Sequence, residues 1–201
     1  MDVHARLIYL LRHGEVMRAE TRRFIGHLDV PLSAGGEAQC AAQARRLAPL
    51  RIEALYSSDL ERARRSGEII GAPHGLTPTP LPALREMAMG RWDGLTADEI
   101  RAREPEAFRD GMTRIGDFPF PDGESVADLI ARAGPAFDRI VAGVAGAVAI
   151  VAHGGTNRAL LCRALGVPLE RLLAFGQDYA ALSVLEWTAR GWLLRRLNER
   201  P

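Results

Sequence analysis

"LIYLLRHGEV", residues 7–16, decides how the rest of the chain is read. Leu7 to Leu11 form an unbroken apolar and aromatic run that leads straight into Arg12, His13, Gly14 and Glu15. A run without alternation marks a strand buried on both faces, as in a parallel sheet covered by helices. The same arrangement recurs at residues 147–155, "AVAIVAHGG", where a strand over 147–152 precedes His153, Gly154 and Gly155. "IEALYSS" at 52–58 is another such strand.

Working outward, residues 14–32 read as a long loop and Ser33 as the N-cap of the following helix. Ser58 and Glu61 are spaced as a capping box for a helix reaching about Ile70. Residues 72–82 are turn-rich. Thr96 with Glu99 opens a helix near 97–108, and Ser125 with Asp128 opens one to about Val144. "TNRALLCRALG" is a helix closed by Gly166. "ALSVLEW" and "GWLLRRL" flank a turn and read as a closing hairpin. Strands alternating with helices predict an α/β fold: a three-layer, doubly wound, mostly parallel sheet with helices on both faces. Residues 1–201 show no repeat or linker and are expected to form one domain.

The 201 residues are 47% hydrophobic and 25% charged, ordinary for a globular protein. The formal net charge of +1 gives no electrostatic case for nucleic acid or an anionic membrane. All 26 basic residues are arginine, so any single Arg has to be argued from its neighbours. Cys40 and Cys162 show neither metal-ligand spacing nor a disulfide framework and read as buried thiols. The stretch Ile140–Ala152 is far short of the ~20 residues of a membrane span. The N-terminus lacks a signal-peptide pattern, so a cytoplasmic protein is expected.

Ligands of such sheets bind beyond the carboxyl ends of the strands. His13 and His153 each follow a strand and precede glycine. Gly14 and Gly154 would let backbone N–H groups approach an anion, and the helix after His153 aims its N-terminus the same way. Arg62 lies in the first turn after strand 52–58; Arg64 and Arg65 read as solvated. Arg12, Arg62 and a protonated His153 would form a cationic pocket suited to a phosphoryl group. His13 could then attack phosphorus, provided its other ring nitrogen is held by an acceptor such as a backbone carbonyl. A leaving alkoxide needs a proton, and Glu15, Glu20, Asp59, Glu86, Asp93 and Asp122 are all loop acids able to supply it. Metal-ligand spacing is lacking, and neither metal nor cofactor is expected. Trp92, Trp187 and Trp192 read as packing groups, His27 and His74 as solvated or supporting residues, and Tyr179 as a residue able to line the site.

Six segments, "LLRHGE" (10–15), "GHLDVPLSAGGEAQ" (26–39), "LYSSDLERA" (55–63), "LREMAMGRWDGL" (84–95), "PDGES" (121–125) and "VAHGG" (151–155), resemble the histidine phosphatase (phosphoglycerate-mutase-like) superfamily, in family order. The resemblance implies that His13 is the phosphorylated nucleophile and Glu86 the general acid. It implies substrate binding by Arg12, Gly26, Arg62, His153 and Gly154. The expected reaction is metal-independent hydrolysis of a small phosphate ester. Residues 87–95, 120–125 and 153–187 are most similar to the α-ribazole-phosphatase group of the cobalamin pathway. The alternatives are a phosphoglycerate mutase and a catalytically dead phospho-ligand binder. Mutase-type members carry a longer insertion with a basic pair after the acid, and "ADEIRAREPEAF" with its following loop lacks both. Two positions depart from the family pattern: Ala19 stands where Asn is usual, and Ile25 where Ser or Thr is usual. Both losses of polarity suit a less polar substrate.

Overall fold

The strand β4 (Ala147–Ala152) is buried at all six of its residues and lies between β1 (Arg6–Arg12) and β2 (Ala54–Ser57). The computed structural model describes residues 6–201. Within them the sheet has six strands in the order β3-β2-β4-β1-β5-β6, where β3 is Thr79–Pro80, β5 Leu182–Thr188 and β6 Gly191–Glu199. β1 to β4 run parallel, β5 is antiparallel to β1, and β6 returns as the outer strand of the closing hairpin.

Alternation along β1 assigns side chains to two cores. Ile8 and Leu10 join Val148 and Ile150 under α5 (Val126–Gly143) and α6 (Gly154–Leu165). Tyr9 and Leu11 join Ala149 and Val151 under α1 (Ala34–Leu47) and α2 (Glu61–Gly71). The layered architecture expected from the continuous apolar runs is therefore present. The helix after β1 covers one face and the helix after β4 covers the other. That divergence opens a crevice between neighbouring strand ends. Arg12 pairs with Ala152 in register, and His13 N–H donates to Ala152 O at 3.0 Å, so His13 and His153 leave the sheet side by side.

Most helix starts follow local chemistry. Ser33 Oγ accepts from Gly36 N–H at 3.0 Å, and both the Thr96/Glu99 and Ser125/Asp128 boxes close reciprocally. Three details differ from the expectation. Ser58 and Glu61 form no capping box. Ser58 N–H continues the sheet by donating to Val151 O at 3.0 Å, Leu60 is the N-cap, and Glu61 N–H is met by Asp29 Oδ1 at 2.7 Å. The helix expected over 97–108 is two helices, α3 (Ala97–Arg103) and α4 (Pro105–Thr113). Pro105 lacks an N–H and drives Glu104 to φ −136°, ψ 62°, which ends one helix and starts the next. The turn-rich segment 72–82 contributes the short edge strand β3, where Pro80 is tolerated.

Cys40 and Cys162 are buried free thiols. Trp92 is fully buried among Phe24, Phe108, Phe118 and Phe120. No described helix is long and apolar enough to cross a membrane.

The first turn of α1 docks on the backbone that follows His13. Ser33 N–H donates to Glu15 O at 2.9 Å, and a Cβ on Gly36 would lie 2.0 Å from that same oxygen. Gly36→Ala should therefore lower stability by ~1–3 kcal/mol through overpacking. The check is a lower urea midpoint at unchanged m-value.

Candidate active site

Where β1 and β4 end, a cleft of about 550 Å³ opens, with Arg12, His13, Gly26, Arg62, Glu86 and Tyr179 among its walls. His13 is 4% exposed, and its Nδ1 lies 2.7 Å from Gly14 O. A carbonyl only accepts, so Nδ1 carries the proton and Nε2 keeps its lone pair. This is the backbone acceptor that a nucleophilic His13 requires.

His153 is fully buried behind the cleft, with its ring centroid 5.1 Å from that of His13 in an edge-on arrangement. Arg62 Nε donates to His153 Nδ1 at 3.2 Å. Nδ1 is thus unprotonated and the hydrogen sits on Nε2, which is buried without a partner. The sequence predicts a protonated His153 as a third cation; the hydrogen bond from Arg62 makes it a neutral one. Burial, then the nearby Arg62 guanidinium, keeps its pKa well below 6.5. Burial, then Arg12 and Arg62, does the same for His13.

The cations are the two arginines. Arg62 is 1% exposed; its Nη1 donates to Leu28 O at 2.6 Å and its Nη2 to Gly26 O at 2.7 Å. With the bond to His153, three of its five N–H groups are used and two remain. Gly26 therefore orients Arg62 through its carbonyl. Arg12 donates to Gln177 O at 2.5 Å and lies under the Tyr179 ring, with Cζ 4.0 Å from the ring centroid. Its Nε is buried and unpartnered. Gly154 packs against Arg12, whose Nε would be 3.6 Å from a Cβ there.

Glu86 sits on the N-terminus of α6. Its Oε2 accepts from Gly155 N–H at 2.9 Å and its Oε1 from Thr156 N–H at 3.1 Å, while Met87 N–H reaches Oε1 at 2.9 Å. Of the six loop acids, Glu86 is the one that lines the cleft with His13. Asp59 is instead held by Arg85, and Asp122 pairs with Arg91 at the surface. Among the described residues no group of three His, Cys, Asp or Glu side chains is arranged to hold a metal ion.

A family model described as the histidine phosphatase superfamily (branch 1) matches residues 8–200. The chain belongs to that superfamily. The probable phosphoglycerate mutase GpmB of Serratia proteamaculans is 32% identical over 96% of this chain and 92% of its own length. A mycobacterial glucosyl-3-phosphoglycerate phosphatase, solved with VO3, superposes at a TM-score of 0.87 with 32% identity, over 96% of this chain and 99% of that one. A putative α-ribazole-5′-phosphate phosphatase from Escherichia coli superposes at 0.90 with 23% identity, over 98% and 97% of the two chains, a likeness of fold.

In this histidine phosphatase superfamily enzyme several supporting groups escaped the sequence reading. Arg132 donates to Ala83 O, Arg85 O and Glu86 O at 2.7–3.0 Å and is paired with Glu124 at 2.6 Å. Glu124 lies in "PDGES", so the motif was visible while its partner, on α5, was not. His27 Nε2 donates to Glu86 O at 2.7 Å, a supporting role. Tyr179 lines the cleft and stacks on Arg12.

Two outcomes follow from this geometry. A Cβ at Gly155 would lie 2.4 Å from Glu86 Oε1. Gly155→Ala should therefore displace that carboxyl and lower kcat for an alkyl phosphate, whose leaving alkoxide needs a proton, by ~10²-fold with an unchanged far-UV spectrum. His13 and His153 also make stability depend on pH. Their folded pKa values are depressed below the unfolded 6.5, so below pH 6.5 the unfolded chain binds protons that the folded one refuses. Stability should fall with acidity from pH 6.5 downward, by up to ~1.4 kcal/mol per pH unit for each histidine. Urea midpoints between pH 7 and 5 should show this slope, shallower by about one proton in His153→Asn.

Proposed function

We propose that this enzyme is a phosphomonoesterase that needs no metal ion and carries the phosphoryl group on His13. The observation that carries the reading is one nucleophilic lone pair held beside two buried, unpartnered donors. His13 has its Nδ1 proton committed to Gly14 O, while Arg12 Nε and His153 Nε2 lack partners. A buried donor without a partner costs ~1–3 kcal/mol. Phosphoryl oxygens would satisfy both donors, and the spare N–H groups of Arg62 add charge-assisted bonds of ~1.5–3 kcal/mol each.

In the first step His13 Nε2 attacks phosphorus and the P–O bond to the leaving group breaks, while the Glu86 carboxyl gives the departing oxygen its proton. In the second step water attacks the phosphohistidine. Glu86, now a carboxylate, takes the water proton as the N–P bond breaks, and inorganic phosphate leaves. A proton donor placed this way contributes ~10²–10⁴-fold. The donors around phosphorus are fixed before substrate arrives, which is the condition under which they favour the transition state.

A second reading is phosphoryl transfer between hydroxyls, supported by the relative named a probable phosphoglycerate mutase. Residues 97–124 lack the adjacent arginine pair expected of a mutase lid, which favours hydrolysis. For the substrate, the motifs at 87–95 and 120–125 support α-ribazole 5′-phosphate, whose leaving alcohol joins a ribose to a larger, apolar dimethylbenzimidazole base. A cytoplasmic location fits this small-metabolite chemistry.

The test is phosphate release by the purified protein from α-ribazole 5′-phosphate, phosphoglycerates, sugar phosphates and p-nitrophenyl phosphate, with and without EDTA. The expected result is turnover indifferent to EDTA, with an acid-labile phosphohistidine on rapid quench that is absent in a folded His13→Ala. Wild-type turnover in His13→Ala, or loss of activity in EDTA, would overturn the proposal. Isomerisation of 3-phosphoglycerate with a bisphosphorylated primer would favour the mutase.

A further inference from the structure

The catalytic cleft does not end at the phosphate subsite. Across Ala19, Arg22, Arg23, Ile25 and Tyr179, which line both, it adjoins a second chamber of about 420 Å³ under the loop that follows β1. Apolar side chains of Met17, Ile25, Leu28, Val30 and Pro31 line this chamber. Met17 is 51% exposed and Leu28 44%, so apolar side chains face solvent at the mouth of the site.

Two of the polar side chains around the chamber are committed to the protein itself. Asp29 Oδ1 accepts from Glu61 N–H at 2.7 Å. Arg23 donates to Gly94 O at 2.7 Å and to Glu99 at 2.9 Å. Arg18 and Arg22 are exposed at the rim, where such side chains keep their charged heads in water. Of the five residues that line both chambers, Ala19 and Ile25 offer no hydrogen bond, while Arg22, Arg23 and Tyr179 are polar. A sugar hydroxyl lodged against the Ile25, Leu28, Val30 and Pro31 side chains would lose its water without gaining a partner, a cost of order kcal/mol.

We propose that the second chamber is the leaving-group subsite and that it selects phosphomonoesters of apolar alcohols over those of polyhydroxylated ones. The inference rests on the phosphomonoesterase reading and names the substrate class of that same site. With phosphorus held between Arg12, Arg62 and His13, the ester oxygen points its carbon chain away from the buried donors. The residues common to both chambers place the apolar side chains of the second next to the phosphate subsite. Each methylene buried there adds about 0.8 kcal/mol, or about fourfold in kcat/KM when the contact persists in the transition state.

The test compares methyl, butyl and hexyl phosphate with glucose 6-phosphate. All four are phosphates of primary alcohols, and the last two carry six carbons each. The expected result is a kcat/KM that rises along the alkyl series, with hexyl phosphate ~10-fold or more above both methyl phosphate and glucose 6-phosphate. Met17→Ser and Leu28→Ser, at exposed positions that do not threaten the fold, should each cut the hexyl-to-methyl ratio by ~3-fold or more. Phosphate release with a flat alkyl series, or with glucose 6-phosphate preferred, would overturn the subsite while leaving the phosphomonoesterase intact. An alkyl preference untouched by both variants would overturn the location. Failure to release phosphate from all four, from p-nitrophenyl phosphate and from the phosphate esters named above would remove the phosphomonoesterase reading along with the subsite.

Discussion

The Arg62 guanidinium is a buried cation with no carboxylate at ion-pair distance among the described residues, and the architecture of the site follows from how it is accommodated. Burying an unpaired charge is among the most expensive things a fold can do. Here the compensation is three hydrogen bonds to neutral acceptors: Gly26 O, Leu28 O and His153 Nδ1. Those bonds hold the loop after β1 against α2, and they dictate which nitrogen of His153 carries hydrogen. They also leave a positive charge that no carboxylate touches directly. An arriving phosphate therefore meets a charge whose dehydration was completed when the chain folded.

The neutral state of both imidazoles belongs to the same arrangement. Two fixed guanidinium groups beside them make a further positive charge unfavourable, so His13 retains its lone pair in mildly acidic solution. Glu86 lines the same cleft as the two arginines. Its position depends on the N-terminus of α6 and on the absence of a side chain at Gly155. The carbonyl side of the same residue is tied by Arg132 and His27, so the carboxyl is fixed at both ends of its backbone.

What the sequence made legible was whatever rests on contiguous residues. The runs at 7–11 and 147–152 identified the two central strands, and the boxes at Thr96 and Ser125 opened helices where expected. Arg12, His13, His153 and Arg62 could be brought together because each ends or follows one of the parallel strands of the sheet. Relations across long separations were hidden. Asp29, not Ser58, meets the start of α2, because Ser58 is still paired in the sheet. Arg132 supports Glu86 from 46 residues away, and nothing in its helical neighbourhood marks it out. The charge of His153 was misread because it depends on a single hydrogen bond from Arg62, whose direction no residue pattern encodes.

The late position of β4 in the chain has a consequence for how the molecule is made. β1 and β2 flank it, yet β4 leaves the ribosome about 90 residues after β2 at the usual pace of synthesis. Until then the emerging chain carries two apolar strands whose inner edges have no partner, the kind of edge that invites pairing with other chains. The central pairing closes loops of more than 90 residues, which places folding toward the slow, non-local end of the range. His13 and His153 become neighbours only when that last central strand inserts. A truncated or stalled product thus holds half of the chemistry and an exposed sticky edge, and is better suited to aggregation or chaperone capture than to partial activity.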